Sequence, residues 1–155
     1  MSYVANERDQ QSLEWIGGST VRVLLDSVTT SGQLTAISSA LNAGDAAPVH
    51  VHSLEDEVFL LVSGSAVVWS GDDRYELDAG GVAYLPRDVP HSYRITSDGT
   101  QMLTLCTPGG IEGFFRGAGH DLATQRPDNW QLTPAVMAPH AQAHGITLLG
   151  PPRRD

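Results

Sequence analysis

Between Ser12 and Pro108 the chain is cut into nine short apolar stretches rich in Val, Leu, Thr and Ile, separated by turn formers such as Gly, Asp, Ser and Pro. β-Branched residues in runs this short, bounded by turn formers, read as strands rather than helices. The segments are 20–25, 33–41, 49–52, 57–63, 65–70, 74–78, 81–86, 91–96 and 100–107. Nine strands in under a hundred residues imply a sandwich or barrel, so the expected fold class is all-β. Sixteen Gly and nine Pro supply the turns such a chain needs. Gly64 and Gly71-Asp72-Asp73 suit tight turns, so 57–63, 65–70 and 74–78 are expected to pair in sequence as antiparallel hairpins.

After Pro108 the pattern changes. Segments 111–119 and 133–146 read as short helices, the second with Pro134 suited to a first turn. Pro139 interrupts that second pattern, so its helix is expected to begin only there. The expected organisation is a single domain over 1–155. It comprises a barrel of about 12–108, a C-terminal helical tail of about 109–150 and a frayed GPPRRD end. A domain of 155 residues buries roughly 70% of its unfolded surface, enough for a core without staples.

Nine Arg, no Lys and eighteen acidic residues give a net charge of −9. A phosphate backbone would be repelled, so no nucleic acid partner is expected. The N-terminal MSYVANERDQQ has neither the basic nor the apolar region of a leader, and no apolar run approaches the roughly 18 residues of a membrane helix. The expected location is cytoplasmic, with no membrane partner. Cys106 is the only cysteine, which rules out an internal disulfide and a thiolate-rich zinc site and leaves it as a small buried residue.

The chemistry concentrates in His50-Val51-His52-Ser53-Leu54-Glu55-Asp56-Glu57. Side chains alternate across a strand, so His50 and His52 point to one face, and a hairpin would bring Glu57 opposite them. His91 is available as a fourth donor. Imidazole and carboxylate groups suit one divalent transition metal, Fe, Ni, Mn, Co, Cu or Zn.

The spacing Gly44-x5-His50-x-His52-x4-Glu57-x6-Gly64, followed after 15 residues by Gly80-x5-Pro86-x-Asp88-x2-His91, resembles the two ordered motifs of the cupin superfamily over about residues 33–107. The resemblance implies a double-stranded β-helix, or jelly-roll, barrel. It also implies a metal ion held by His50, His52, Glu57 and His91, and a homodimer. The chain departs from the family pattern at Asp88, where Gly is usual, and at Ile95, where Asn is common. Asp tolerates left-handed backbone, and Ile95 shares the strand face of His91 and Tyr93, making the pocket more apolar.

Within the superfamily the chain resembles the single-domain quercetin 2,3-dioxygenase-like cupins. That likeness implies a mononuclear metal-dependent oxygenase that cleaves an enolisable aromatic or diketone-type substrate with O2. Glu57 would be both ligand and general base, its pKa balanced near neutrality between the pull of a cation and the push of burial. Phe59 and Tyr93, two residues beyond Glu57 and His91, would be substrate contacts, with ordinary barrel packing as the other reading. A non-oxidative metal-dependent cyclase or isomerase, and a non-catalytic small-molecule-binding cupin, remain alternatives. Trp15, Trp69 and Tyr84 read as packing, Phe114-Phe115 as a buried helix face or a cap on the barrel mouth, and His120, His140 and His144 as exposed.

Overall fold

The computed structural model describes residues 1–154 and contains all nine expected strands together with three more. They are β1 (Gln11–Glu14), β2 (Thr20–Leu25), β3 (Thr35–Leu41), β4 (Val49–His52), β5 (Asp56–Ser63), β6 (Ser65–Ser70), β7 (Asp73–Asp78), β8 (Val82–Leu85), β9 (His91–Ile95), β10 (Thr100–Thr107), β11 (His120–Asp121) and β12 (Ile146–Gly150). Two helices follow the barrel strands, α1 (Glu112–Ala118) and α2 (Pro134–Ala143). One antiparallel sheet runs β11-β1-β2-β3-β10-β5-β8 and the other β12-β4-β9-β6-β7, forming a jelly-roll sandwich. Among the described residues, no helix is long and apolar enough to cross a membrane.

Two expected hairpins do not form. β4 lies in the five-stranded sheet and β5 in the seven-stranded one, so residues 53–55 turn a corner between sheets. Nor does β5 pair with β6, because Gly64 is a second corner of the same kind. Its φ is +84°, and a Cβ there would run into the Thr100 side chain, so the position needs glycine on two counts. The β6–β7 hairpin does form, around Gly71-Asp72 with Ser70 opposite Asp73.

The C-terminal segment is woven into both sheets and is not an appendage. β11 pairs with β1, and β12 pairs with β4, setting Ile146 beside His52 and Leu148 beside His50. α2 starts at Pro134 and carries Pro139 inside it, earlier than its sequence suggests. Thr133 caps it through the Val136 N–H, while Met137 and Ala141 bury one face, and these contacts carry the helix across the missing donor. The chain end is tied down as well, since Arg153 donates to the Gly71 carbonyl over 3.0 Å. Asp155, the last residue of the expected frayed end, lies outside the described residues.

Alternation along β5, β6, β9 and β10 sends Phe59, Leu61, Ala66, Val68, Ile95 and Met102 into one buried cluster. A second cluster joins Leu13, Val21, Val23 and Ile37 of the first strands to Ile111, Phe114, Met137 and Ile146 of the C-terminal segment. Tyr84, expected to pack, is 62% exposed, because β8 is a sheet edge whose inward positions are Ala83 and Leu85.

Candidate metal centre

His50 and His91 stand opposite each other on β4 and β9, and His52 follows on the same face of β4. Glu57 enters from the other sheet as the second residue of β5. One donor atom from each of these four residues lies within 4.8 Å of every other, a grouping that could hold a metal ion. His91 Nε2 is 2.8 Å and His52 Nε2 is 3.4 Å from the same oxygen, Glu57 Oε2. The imidazole planes of His52 and His91 are stacked, with ring centroids 5.2 Å apart.

The second ring nitrogens are engaged. His50 Nδ1 lies 2.7 Å from the Pro48 carbonyl, His91 Nδ1 3.2 Å from that of Val89, and His52 Nδ1 2.5 Å from Glu55 Oε1. With Nδ1 carrying the proton, the His50 and His52 rings turn their Nε2 lone pairs to the centre, whereas His91 Nε2 faces Glu57 Oε2. His52 Nε2 is buried and has no hydrogen-bond partner. Buried polar atoms are seldom left so, and a cation at the centre would satisfy this one. The residues present therefore fit a divalent ion, judged on that orphaned nitrogen and on the three-imidazole, one-carboxylate donor set.

The electrostatics agree at His50. Burial, and then the neighbouring His91, lower the His50 pKa to about 4, which keeps the ring neutral, as a ligand must be. Burial pushes Glu57 up, but the hydrogen bond with His91 and the nearby imidazoles outweigh it and hold the carboxyl down to about 2. The expected balance near neutrality is thus not met, and Glu57 is ionised across the physiological range. For His52, burial opposes the charged form, while Glu55 and Glu57 overcome that and raise its pKa.

The cluster forms the polar end of a cavity set between the two core clusters. Its wall includes His50, His52, Glu57, Phe59 and Tyr93, then Trp15, Phe114 and Phe115 on the helical side. About 80 Å³ is open to the centres of water-sized molecules. That is room for roughly five to eight waters, comparable to a small aromatic molecule. Among the described residues, neither Arg nor any other cationic side chain except the two histidines lines it.

Residues 39–108 match the family model described as the cupin domain. Over that stretch, a little under half of the chain, the sequence resembles a cupin domain. Over 98 residues the chain is 32% identical to quercetin 2,3-dioxygenase of Bacillus subtilis (strain 168), a match spanning 63% of this chain and 29% of that protein. Over 71 residues it is 32% identical to quercetin 2,3-dioxygenase of Aspergillus japonicus, spanning 43% of this chain and 20% of that protein. The chain therefore spans less than a third of the length of either relative. Among solved structures, KdgF from Halomonas sp. superposes with a TM-score of 0.65 at 14% identity, covering 72% of this chain and 98% of that one, a likeness of fold.

The fold accommodates the two departures from the cupin pattern. Asp88 takes φ +65° and donates its N–H to the His52 carbonyl over 2.7 Å, so the turn survives without glycine. Ile95 is buried beside Phe59 and Tyr93. Phe59 is both core and cavity wall, and it meets Tyr93 edge-on with ring centroids 5.5 Å apart. Burial and the charges of Glu57 and Asp45 push the Tyr93 phenol well up, keeping it a hydrogen-bond donor. Trp15, Phe114 and Phe115 pack against one another and also line the cavity, with Trp15 and Phe115 centroids 4.8 Å apart.

Two neighbours of the cluster escaped the sequence reading. Cys106 is paired across the ladder with Glu57, and its thiol donates to Glu57 Oε1 over 3.8 Å, a relation set by β10–β5 register. Glu55 is buried against His52, and the one signal for it was a third acid in an otherwise turn-like connector. The remaining histidines are not exposed. His120 is 8% exposed beside Trp130, while His140 and His144 are half-buried where a Cβ at Gly117 or Gly113 of α1 would strike their rings.

Proposed function

We propose that this chain is a mononuclear metal-dependent oxygenase, quercetin 2,3-dioxygenase-like, that cleaves an enolisable aromatic or diketone-type substrate with O2. The observation that carries the reading is the convergence of His50, His52, Glu57 and His91 at one end of an apolar cavity, with His52 Nε2 buried and unpartnered. The four residues hold one divalent ion, whose charge stabilises a developing enolate oxygen when it is bound. Glu57, ionised throughout the working range, takes the enol proton on a carboxylate oxygen, and the Cys106 thiol orients that carboxylate. Phe59 and Tyr93 flank the substrate ring, and the Tyr93 hydroxyl, kept protonated by burial, donates to a substrate oxygen. Trp15, Phe114 and Phe115 keep water from the reacting end.

The wall also argues about charge. A divalent ion with Glu57 bound would leave one net positive charge, and among the described residues no Arg reaches the cavity to add to it. The substrate is therefore expected to be uncharged or singly charged and largely apolar. The likeness to two quercetin 2,3-dioxygenases supports it. The test is oxygen-electrode assay of protein loaded in turn with Fe, Ni, Mn, Co, Cu and Zn against flavonols and β-diketones. Uptake of O2 with substrate loss is expected for at least one metal. Substrate conversion with no O2 consumed would replace the oxygenase with a cyclase or isomerase. Binding without conversion would leave a small-molecule-binding cupin. In the crowded cytoplasm or in vitro, the protein is expected to act as a homodimer, tested by light scattering.

A further inference from the structure

Glu55 sits in the three-residue corner where the chain leaves the five-stranded sheet for the seven-stranded one. It is 4% exposed, and its carboxylate accepts a single side-chain hydrogen bond, from His52 Nδ1 at 2.5 Å. Barrel packing does not call for a charge here, since a buried carboxylate is costly unless its partner repays it. Its partner is the ring whose Nε2 is fully buried with no hydrogen-bond partner among the described residues. The other two rings rest their Nδ1 atoms on backbone carbonyls of Pro48 and Val89, which are neutral. His52 alone is backed by an anion.

We infer that Glu55 is a positioning residue for the metal centre, fixing the His52 tautomer and making that ring the strongest nitrogen donor of the set. The inference rests on the proposed metal reading. A carboxylate behind a ligating imidazole holds the ring in plane, keeps the proton on Nδ1 and raises the electron density on Nε2. The asymmetry of the three histidines then becomes chemical as well as positional, with His52 holding the ion more tightly than half-buried His50.

The experiment compares wild type with Glu55→Gln and Glu55→Asp. It measures Zn2+ affinity by chelator competition, the visible absorption of the Co2+-loaded proteins, and the melting midpoint of each metal-free protein. An amide can still accept from Nδ1 but carries no charge, so Glu55→Gln is expected to weaken Zn2+ binding 10- to 100-fold and to shift the Co2+ bands, with the metal-free midpoint near that of wild type. Glu55→Asp, which keeps the charge on a shorter stem, is expected to recover part of the affinity, and it carries the test if Glu55→Gln does not fold. Zn2+ affinity within threefold of wild type together with superimposable Co2+ spectra would overturn the inference. So would a lowered metal-free midpoint with unaltered spectra, the mark of a purely structural acid. If wild type itself takes up neither Zn2+ nor Co2+, the metal reading fails first and the role of Glu55 falls with it.

Discussion

Cys106 of β10 faces Glu57 of β5 directly across the ladder, and its thiol donates to Glu57 Oε1 while His91 and His52 crowd Oε2. Both carboxylate oxygens are therefore held in place before any substrate arrives. Burial, then the charges of Glu57 and Glu55, push the thiol far above its ordinary pKa, so it stays protonated. Because the thiolate is the reactive form, native protein is expected to resist Ellman's reagent and to release one equivalent only on unfolding. Cys106→Ala removes a donor to a charged group and is expected to cost roughly 1–3 kcal/mol, read from a melting curve. Rapid labelling of the native thiol would contradict this placement.

Glu57→Gln separates the carboxylate's two roles. The amide oxygen can still coordinate weakly but cannot take a proton at neutral pH. Turnover at matched metal occupancy is expected to fall roughly 10²-fold or more, the usual share of a positioned base, with part of the metal retained. Undiminished turnover would remove the base role.

Gly64→Ala tests the corner between sheets. The substitution forces a side chain into left-handed backbone and against Thr100. Strain of that kind costs roughly 1–3 kcal/mol, before the collision is counted, and corresponds to a melting midpoint lowered by about 2–12 °C. An unchanged midpoint would mean that the corner relaxes freely.

Glu112 supplies the acid-stability prediction. It is 4% exposed at the start of α1 and accepts from the backbone N–H groups of Ser27 and Gly110, each at 3.0 Å, and from the hydroxyls of Ser27 and Thr35. Burial pushes its pKa up, but these donors outweigh burial and lower it. A carboxyl with a lowered folded-state pKa adds stability that is complete above the unfolded value of 4.5 and is lost as pH falls through the folded one. Glu112→Gln is expected to lower stability at pH 7 and to flatten its decline below pH 4.5, measured by urea melts across pH. Parallel curves for the two proteins would rule out this linkage.

Much of this was legible in the chain itself, and what was hidden has a common cause. The parity of His50 and His52 follows from strand alternation alone, and the nine segments appear as strands because each is bounded by its own turn formers. Which strands pair is a tertiary matter. Gly64 reads equally well as a hairpin or as a change of sheet, and only the other strands decide between them. The same blindness hid Cys106, whose contact with Glu57 exists only in the β10–β5 register, and the place of Trp15 on the cavity wall beside Phe114 and Phe115, which come from the other end of the chain. β12 was missed because ITLLG is a short apolar run after a helix, and it becomes a strand only because β4 offers an edge. His140 and His144 looked exposed on helical spacing, but Gly113 and Gly117 bring α1 close enough to cover them.

The central claim is that His50, His52, Glu57 and His91 hold one divalent ion, and metal content measured by mass spectrometry on protein purified without chelator tests it most directly. The account predicts about one transition-metal equivalent per chain in wild type and a marked loss in both His52→Ala and His91→Ala. Adding the right ion back at a hundredfold excess over Kd should stabilise wild type by about 2.7 kcal/mol. Metal content in both variants equal to that of wild type would contradict the account.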